Sequence, residues 1–552
     1  MRVAGAARPG GAAAQHGDAT SAPTAARVSA AELRAMLTDG EELAILDVRE
    51  ELVYSACHLL HARSAPLSRL ELIVPRLVPR RATRIALVDD GDSLAERAAE
   101  VLGRHGYGDV RVLDGGVAGW SAAGYVLFSG VNVPSKAFGE VIEHAAATPS
   151  IEAADLKRMI EAGDDVVIVD SRPFDEFNRV SIPTATNVPG AELVLRVRDL
   201  APSPSTTVVV NCAGRTRSII GAQSLINAGL PNRVVALRNG TMGWTLAGFA
   251  PDHGQDRRVE ADPPSRQALM WAKAAAEAVA RRCGVRMIDM NQLLAWQQQA
   301  GERTLYVFDV RDPREYVAGH VAGAVSAPGG QLVQATDHYV GTLNARIVLA
   351  DDLYVRAAMT ASWLRQMGWK DVFVLAAAGA ETGSPAAPVL GTGERPDLRL
   401  DPAGVAALID QRAATVIDLS LSRDYRKAHI AGAWFAIRSR LERALLTIGA
   451  EGMLVLTSED GTLAAMALDE AMASTHLPVR YLGGGNAAWT ASGRALTAEH
   501  PRFADEPLDV WLKPYERTAG TTDAMQEYLA WEVDLLEHIK RDGTTAFLPL
   551  DA

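Results

Sequence analysis

The sequence predicts an α/β protein made of four tandem copies of one unit, each an open, mostly parallel sheet flanked by helices. Apolar runs typical of buried strands recur along the chain and alternate with Ala- and Leu-rich segments of helical periodicity. The motifs between these runs also keep their spacing from copy to copy. Because 552 residues are too many for one hydrophobic core, several domains are expected on length alone.

The first element of the unit is an apolar run that ends in Asp-x-Arg and predicts a buried strand. It occurs as LAILDVRE, VVIVDSRP, LYVFDVRD and the weaker TVIDLSLS, with the aspartates at Asp47, Asp170, Asp309 and Asp418. A second signature follows eleven residues later, at His58, Ser181, His320 and His429. Since three copies share histidine here, we expect a structural hydrogen-bonding role for it rather than catalysis.

A second apolar run comes next and leads each time into a helical segment. It ends at a residue that differs between the copies: Asp89, Cys212, Asp351 and Ser458. The distance from the second signature to this position is 31 residues in the first three copies and 29 in the fourth, a register that chance similarity would not hold. Because ligands of parallel sheets bind at the carboxyl ends of strands, this position is the expected site in each unit.

The unit closes with a short strand and a turn that leads to a tryptophan, expected to be a packing residue, in all copies but the third. The predicted units span 27–128, 145–250, 285–380 and 398–495, after a disordered segment over 1–26 and before an extension over 496–552. Residues 129–140 and 381–397 are predicted linkers, and SRQALMWAKAAAEAVARRC a helix. The amphipathic segment DAMQEYLAWEVDLLEHIKR of the extension is expected to pack on its own domain.

Composition excludes several classes of protein. A net charge of -12 without clustered Lys and Arg argues against nucleic-acid binding, and no apolar run is long enough for a membrane helix. The three cysteines form neither a disulfide framework nor a zinc-binding spacing, so no metal or other cofactor is expected. Together with an N-terminus that lacks the apolar core of a secretory signal, this composition predicts a cytoplasmic protein.

Only the second copy has a thiol at the strand end, in the loop NCAGRTRS that begins at Asn211. A loop that turns from strand to helix directs backbone N–H groups inward, and the helix start adds partial positive charge, so an anionic sulfur is stabilised there. Gly214 permits the tight turn, and Arg215 and Arg217 are candidates for holding an oxyanion. A merely buried, inert cysteine would not be expected in so polar a loop.

With this loop, the repeated Asp-x-Arg, His-x-x-Gly-Ala-like and Gly-Gly-x-x-x-Trp signatures resemble the rhodanese family of sulfurtransferases over nearly the whole chain. The resemblance implies a rhodanese fold in each unit. It also implies that Cys212 accepts the sulfane sulfur of thiosulfate or a similar donor as a persulfide, and passes it to cyanide or a thiol. The substrate-binding residues implied by the resemblance are Ala213, Gly214, Arg215, Thr216 and Arg217. By the same resemblance Asp170 and Arg172 are mainly structural.

The other three units are expected to be inactive, because carboxylates cannot carry sulfane sulfur and Ser458 has no visible base. Two alternatives stay open for Cys212: a persulfide carrier or docking module serving a specific acceptor protein, and a phosphatase or arsenate reductase. The related phosphatases have a loop one residue longer, which counts against the second alternative. Cys57 is expected to be structural. A role of Cys283 as a relay thiol is a minority hypothesis. The oligomeric state stays open, as does mercaptopyruvate as a donor.

Overall fold

In the computed structural model, residues 25–259, 263–391, 395–517 and 519–550 are described, and they form four sheets that are almost entirely parallel. Helices cover the sheets, so the α/β fold class predicted from the repeats is confirmed. No helix among these residues is long and apolar enough to cross a membrane.

The first unit starts at the beginning of the described chain. Its elements are β1 (Ala26–Val28), α1 (Ala30–Met36), β2 (Leu43–Asp47), α2 (Glu51–Ala56), β3 (Ala62–Ser64), α3 (Leu70–Leu77), β4 (Arg84–Val88), α4 (Leu94–Arg104), β5 (Val110–Leu113) and α5 (Gly116–Ala122). The strands lie in the order β1-β5-β4-β2-β3 and all pair in parallel. Of the segment 1–26, which was predicted to be disordered, residues 1–24 lie outside the described part of the chain. Ala26 already belongs to β1.

The second unit repeats this arrangement after the helix α6 (Val133–Ala146). Its elements are β6 (Ser150–Ile151), α7 (Ala153–Ala162), β7 (Val166–Asp170), α8 (Phe174–Arg179), β8 (Thr186–Asn187), α9 (Leu193–Leu200), β9 (Thr207–Asn211), α10 (Thr216–Asn227), β10 (Val234–Leu237) and α11 (Gly240–Leu246). The order β6-β10-β9-β7-β8 places β9 in the centre of the sheet.

The third unit follows α12 (Arg266–Arg282), the helix predicted from the Ala-rich segment. Its elements are β11 (Arg286–Ile288), α13 (Met290–Gln298), β12 (Leu305–Asp309), α14 (Pro313–Ala318), β13 (Val325–Ser326), α15 (Gly329–Gln334), α16 (Thr336–Tyr339), β14 (Thr342–Leu343), β15 (Arg346–Ala350), α17 (Val355–Gln366) and β16 (Val372–Leu375). Its sheet has the order β11-β16-β15-β12-β13, while β14 leaves it and pairs antiparallel with β2 of the first unit.

The fourth unit has the same strand order again, β17-β21-β20-β18-β19, extended at one edge by β22. Its elements are β17 (Arg399–Leu400), α18 (Pro402–Asp410), β18 (Ala414–Asp418), α19 (Ser422–Lys427), β19 (Trp434–Phe435), α20 (Leu441–Ile448), β20 (Met453–Thr457), α21 (Thr462–Met466), α22 (Leu468–Ser474), β21 (Val479–Leu482), α23 (Gly485–Ala491) and β22 (Arg502–Phe503). A long helix, α24 (Thr521–Asp542), is the last regular element of the described residues.

The Asp-x-Arg motif is a buried ion pair that fixes the end of a central strand. Arg172 donates from Nε and Nη2 to the Asp170 carboxylate at 2.9 and 2.7 Å, and from Nη2 to the Val180 carbonyl at 2.6 Å. Both side chains are buried, which agrees with the structural role that the resemblance implied. In the fourth unit, where serine replaces the arginine, Asn486 donates to Asp418 instead at 2.9 Å.

The repeated histidines are structural, as expected from their recurrence. The Nδ1 atoms of His320 and His429 donate to the carbonyls of Tyr316 and Tyr425 at 2.9 and 2.8 Å, four residues earlier. Each ring also stacks on the ring of that tyrosine, with centroids 3.9 and 4.3 Å apart. Hydrogen bonding and stacking together explain why histidine is repeated at this position.

Two segments differ from their predictions in the way they join the units. Residues 129–140, predicted as a linker, instead contain the first half of α6, which packs against α10, α15 and α24. The prediction that the helix of the extension packs on its own domain is also wrong. α24 lies along α6 and touches α11, and its buried Leu535 and Ile539 contact Phe128 and Val133. The apolar stripe of α24 gave no indication of which unit it would meet.

We expect Leu535→Ala to destabilise the protein by about 2–5 kcal/mol, because it removes a fully buried side chain from the contact between α24 and α6. The midpoint of urea unfolding would fall accordingly. Val533→Ala, on the exposed face of the same helix, is the matched control and should change stability by no more than about 0.5 kcal/mol. Equal midpoints for the two variants would show that α24 is not docked.

Candidate active site

Cys212 lies at the carboxyl end of β9, the central strand of the second sheet, and is only 2% exposed. Its carbonyl accepts hydrogen bonds from the N–H and the hydroxyl of Thr241 at 2.8 and 3.1 Å. Gly240 makes this approach possible, because its φ is +53° and a Cβ there would lie 2.3 Å from the Cys212 carbonyl oxygen. The turn between β10 and α11 therefore fixes the backbone of Cys212.

The equivalent residue of the third unit shows what such a loop binds. The Asp351 carboxylate accepts hydrogen bonds from the backbone N–H groups of Leu353, Arg356 and Ala357, at 3.2, 2.8 and 3.3 Å. The ring of N–H groups at the helix start thus surrounds a negative charge that the chain itself supplies.

The first and fourth units close their loops in the same way. Asp89 accepts from the N–H groups of Gly91 and Ala95 at 2.9 and 3.0 Å. In the fourth unit the Ser458 hydroxyl accepts from the N–H of Ala464 at 3.3 Å. In these three units the side chain at the strand end is itself the acceptor for the loop.

In the second unit the thiol cannot satisfy the loop as a carboxylate does. Within the part of the chain that the structure describes, the backbone N–H groups of residues 213–217 donate to no protein acceptor. These residues directly follow Cys212, which comes after the last residue of β9, and they line the same cavity as the thiol. The loop can therefore hold an anion attached to, or placed beside, the Cys212 sulfur.

Arg215, expected to hold an oxyanion, lines the cavity over the thiol but is also bound by protein groups. Its Nε and Nη2 donate to Glu140 of α6 at 2.8 and 2.7 Å, and Nη2 also pairs with Glu143. Nη1 donates to Asn239 at 3.3 Å. Because two carboxylates neutralise its charge, Arg215 holds α6 against the loop, and its role toward a substrate stays a prediction.

Arg217 has a carboxylate partner too, but it shares that partner. Glu176 accepts from Arg217 Nη2 at 2.9 Å and from Lys513 Nζ at 3.0 Å. Burial alone would raise the pKa of Glu176, but Arg217 and Lys513 lower it well below its usual range. Burial also opposes the charge of Arg217, yet Glu176 and then Cys212 outweigh it and raise the pKa of Arg217. Two cations and one buried carboxylate leave net positive charge beside the thiol.

The remaining loop residues contact the extension. The Thr216 hydroxyl donates to Glu532 of α24 at 3.3 Å, and an added Cβ on Gly214 would lie 3.2 Å from the same carboxylate. Lys136 of α6 pairs with Glu532 at 2.9 Å, while Tyr528 donates to it at 3.1 Å. Burial would lower the pKa of Lys136, but Glu532 and Tyr528 raise it, so Lys136 stays charged.

A cavity of about 230 Å³ lies over the thiol, and every unit contributes to its wall. The loop 212–217 forms one side of it. The remainder comes from the first unit and α6, from the third and fourth units and from the extension, including Glu51, Lys136, Gln334, His338, Arg423, Trp511, Lys513, Tyr515 and Tyr528. Sequence reasoning missed all of these outer residues, because nothing in the repeat pattern indicates which units meet.

The other two thiols lie away from this cavity. Cys57 is half-buried at the end of α2, where its sulfur lies 3.9 Å from Arg49 Nη1, as befits a structural residue. Cys283 ends α12, and burial raises its pKa to about 11, so it is protonated at neutral pH. Neither thiol lines the cavity over Cys212.

Comparison with known proteins identifies the class. The family model "Rhodanese-like domain" matches residues 29–123, 152–247 and 289–378, about half of the chain. The chain therefore belongs to the rhodanese-like domain family. The fourth unit is not among the matched segments, although its sheet has the same strand order.

Individual proteins extend this comparison. The crystal structure of thiosulfate sulfurtransferase from Pseudomonas aeruginosa is 47% identical, with a TM-score of 0.92, and the match covers 95% of this chain and 100% of that one. An HTH-type transcriptional regulator of Mycobacterium tuberculosis is 34% identical over 105 residues, 19% of this chain. That match spans less than half of the regulator, 45% of its length.

We expect Arg215→Met to destabilise the protein by about 3–5 kcal/mol, because it leaves the buried Glu140 without its cation. The midpoint of urea unfolding measures the loss. Arg238→Met, which breaks an exposed pair with Glu152, is the control and should cost no more than about 1 kcal/mol. If Arg215→Met were as stable as this control, Arg215 would not anchor α6.

Proposed function

We propose that the protein is a sulfurtransferase in which Cys212 carries one sulfur atom from thiosulfate, or a similar donor, to cyanide or a thiol. The observation that carries the proposal is the loop of the second unit, which follows a thiol and whose N–H groups have no protein acceptor among the described residues. The similarity to a thiosulfate sulfurtransferase over 95% of the chain supports the same chemistry.

The reaction divides into two displacements at sulfur. In the first, the Cys212 thiolate attacks the outer sulfur of thiosulfate, a sulfur–sulfur bond forms, and sulfite leaves with the electron pair of the broken bond. In the second, cyanide or a thiolate attacks the outer sulfur of the persulfide, giving thiocyanate or a new persulfide and restoring the Cys212 thiolate. Charge and atoms balance in both steps, so neither a metal nor a redox cofactor is required.

The charges around Cys212 suit these two reaction steps. The persulfide is an anion, and the N–H groups of residues 213–217 together with the start of α10 stabilise it. Arg217, Lys513 and Lys136 supply the positive charge that draws a dianionic donor into the cavity. In this proposal Arg217 keeps its expected role, and Arg215 contributes its backbone N–H.

The proposal also assigns roles to the remaining units. We regard the fourth unit as a further rhodanese-like domain, and the boundaries 27–128, 145–250, 285–380 and 398–495 as the extents of the four. The units that end their strands with Asp89, Asp351 and Ser458 are inactive, because their own side chains occupy the loops. Since the mechanism needs a free thiol, a reducing compartment such as the cytoplasm fits the protein.

We expect Cys212→Ser to abolish thiosulfate:cyanide sulfurtransferase activity. The variant should also lack the mass increase of about 32 Da that one sulfur atom produces when it binds to an activated thiolate. Mass spectrometry of the protein after incubation with thiosulfate measures the adduct. Cys57→Ser and Cys283→Ala are the matched controls and should keep both the activity and the adduct. An active Cys212→Ser variant would contradict the proposal. Hydrolysis of an aryl phosphate that depends on Cys212 would favour a phosphatase instead.

A further inference from the structure

The thiol of Cys212 has little contact with solvent. Cys212 is 2% exposed and lines a cavity of about 230 Å³. Pockets that receive drug-sized ligands are larger, about 300–1,000 Å³. A folded acceptor protein would have to insert its own thiol into this cavity.

The outer wall of the cavity is built by the extension. Trp511, Lys513, Tyr515 and Tyr528 all line the same cavity as the loop that starts at Cys212. The ring centroids of Trp511 and Tyr528 lie 6.3 Å apart, so they form adjoining parts of one surface. These large side chains therefore share the space that an acceptor of Cys212 would have to enter.

Contacts with the first and second units hold this wall in place. The backbone N–H of Trp511 donates to Glu51 of the first unit at 3.1 Å. Lys513 is held by Glu176 at 3.0 Å, and Glu516 pairs with Arg179 at 3.1 Å. These contacts tie the segment to both units along its length.

Further packing fixes the helix behind the segment. The buried side chains of Met525 and Leu529 pack on Met242, and the rings of Tyr515 and Tyr528 pack against the same cluster. The wall is therefore part of the packed structure of the protein.

From this arrangement we infer that two segments of the extension, residues 510–517 and 519–532, restrict sulfur transfer to small anionic donors and small acceptors and exclude thiols carried on folded proteins. The inference rests on the proposed function, which it makes more specific by naming the class of acceptor. Binding specificity of this kind comes from steric exclusion of the wrong partner as much as from attraction of the right one.

The charges of the wall agree with a small anionic substrate. Lys513 and Lys136 enter the cavity from the extension and from α6, and Arg217 enters from the loop. Each of these cations is paired with a buried or half-buried carboxylate, Glu176 or Glu532. Because these three cations share two carboxylates, the small cavity keeps positive charge for an ion such as thiosulfate.

The test compares a small thiol with a thiol on a folded protein, and it includes cyanide as a second small acceptor. The full-length protein is loaded with thiosulfate, and loss of the persulfide from Cys212 is followed by mass spectrometry with cyanide, 2-mercaptoethanol or a small folded protein with one exposed cysteine. We expect wild type to react with the protein thiol at least about tenfold more slowly than with 2-mercaptoethanol.

In the double variant Trp511→Ala, Tyr515→Ala, the ratio of these two rates should shrink, because the variant removes two large side chains from the wall of the cavity. Trp434→Ala, which alters an aromatic side chain of β19 outside the cavity, should leave it unchanged.

Alkylation of the unloaded protein gives a readout that does not depend on sulfur transfer. We expect N-ethylmaleimide to modify Cys212 far faster than the same maleimide group linked to a polymer does, and the double variant to reduce the difference. Equal rates for the two reagents in wild type, or equal rates of persulfide loss to small and protein thiols, would overturn the inference. If no persulfide forms, the proposed function fails, and the two reagents alone decide whether the extension encloses the thiol.

Discussion

Backbone N–H groups that converge at the start of a helix need an acceptor, and the way each unit meets this need decides what the unit can do. Asp89 and Asp351 bind the N–H groups of their own loops, so those loops are satisfied within the chain. In the loop that follows Cys212, the N–H groups of residues 213–217 have no protein acceptor among the described residues. The same backbone geometry therefore serves as a structural cap in one unit and as a candidate site for an anion in another, through the change of one residue.

Buried ion pairs join the units to one another. Arg356, fully buried next to Asp351, also reaches Glu192 of the second unit at 2.9 Å, and Arg438 of the fourth unit pairs with Glu71 of the first at 2.9 Å. Breaking such a pair would leave a buried charge without its partner, so these pairs hold the units in one arrangement. That arrangement brings residues of every unit to the cavity over Cys212. The loops without a thiol thus still contribute the walls of the site.

Much of the fold was predictable because its signals are local. The strand runs, the Asp-x-Arg pairs and the repeated histidines each act within one unit, and a fixed spacing shows that they belong together. The position of Cys212 directly after a central strand was predictable for the same reason, since the repeat aligns four equivalent strand ends. The partners of Arg215, the position of α24 and the aromatic wall of the cavity depend on contacts between segments up to several hundred residues apart. Periodicity and loop chemistry show that such side chains are charged or amphipathic, but not what they meet.

The central claim is that the loop of the second unit holds an anion at the Cys212 sulfur by its backbone N–H groups. A crystal structure of the protein after reaction with thiosulfate tests it most directly. We predict additional density for one sulfur atom bonded to Cys212 Sγ, with the outer sulfur within hydrogen-bonding distance of the N–H groups of residues 213–217. A Cys212 thiol that remains unmodified under turnover conditions, or an outer sulfur directed away from these N–H groups, would contradict the account.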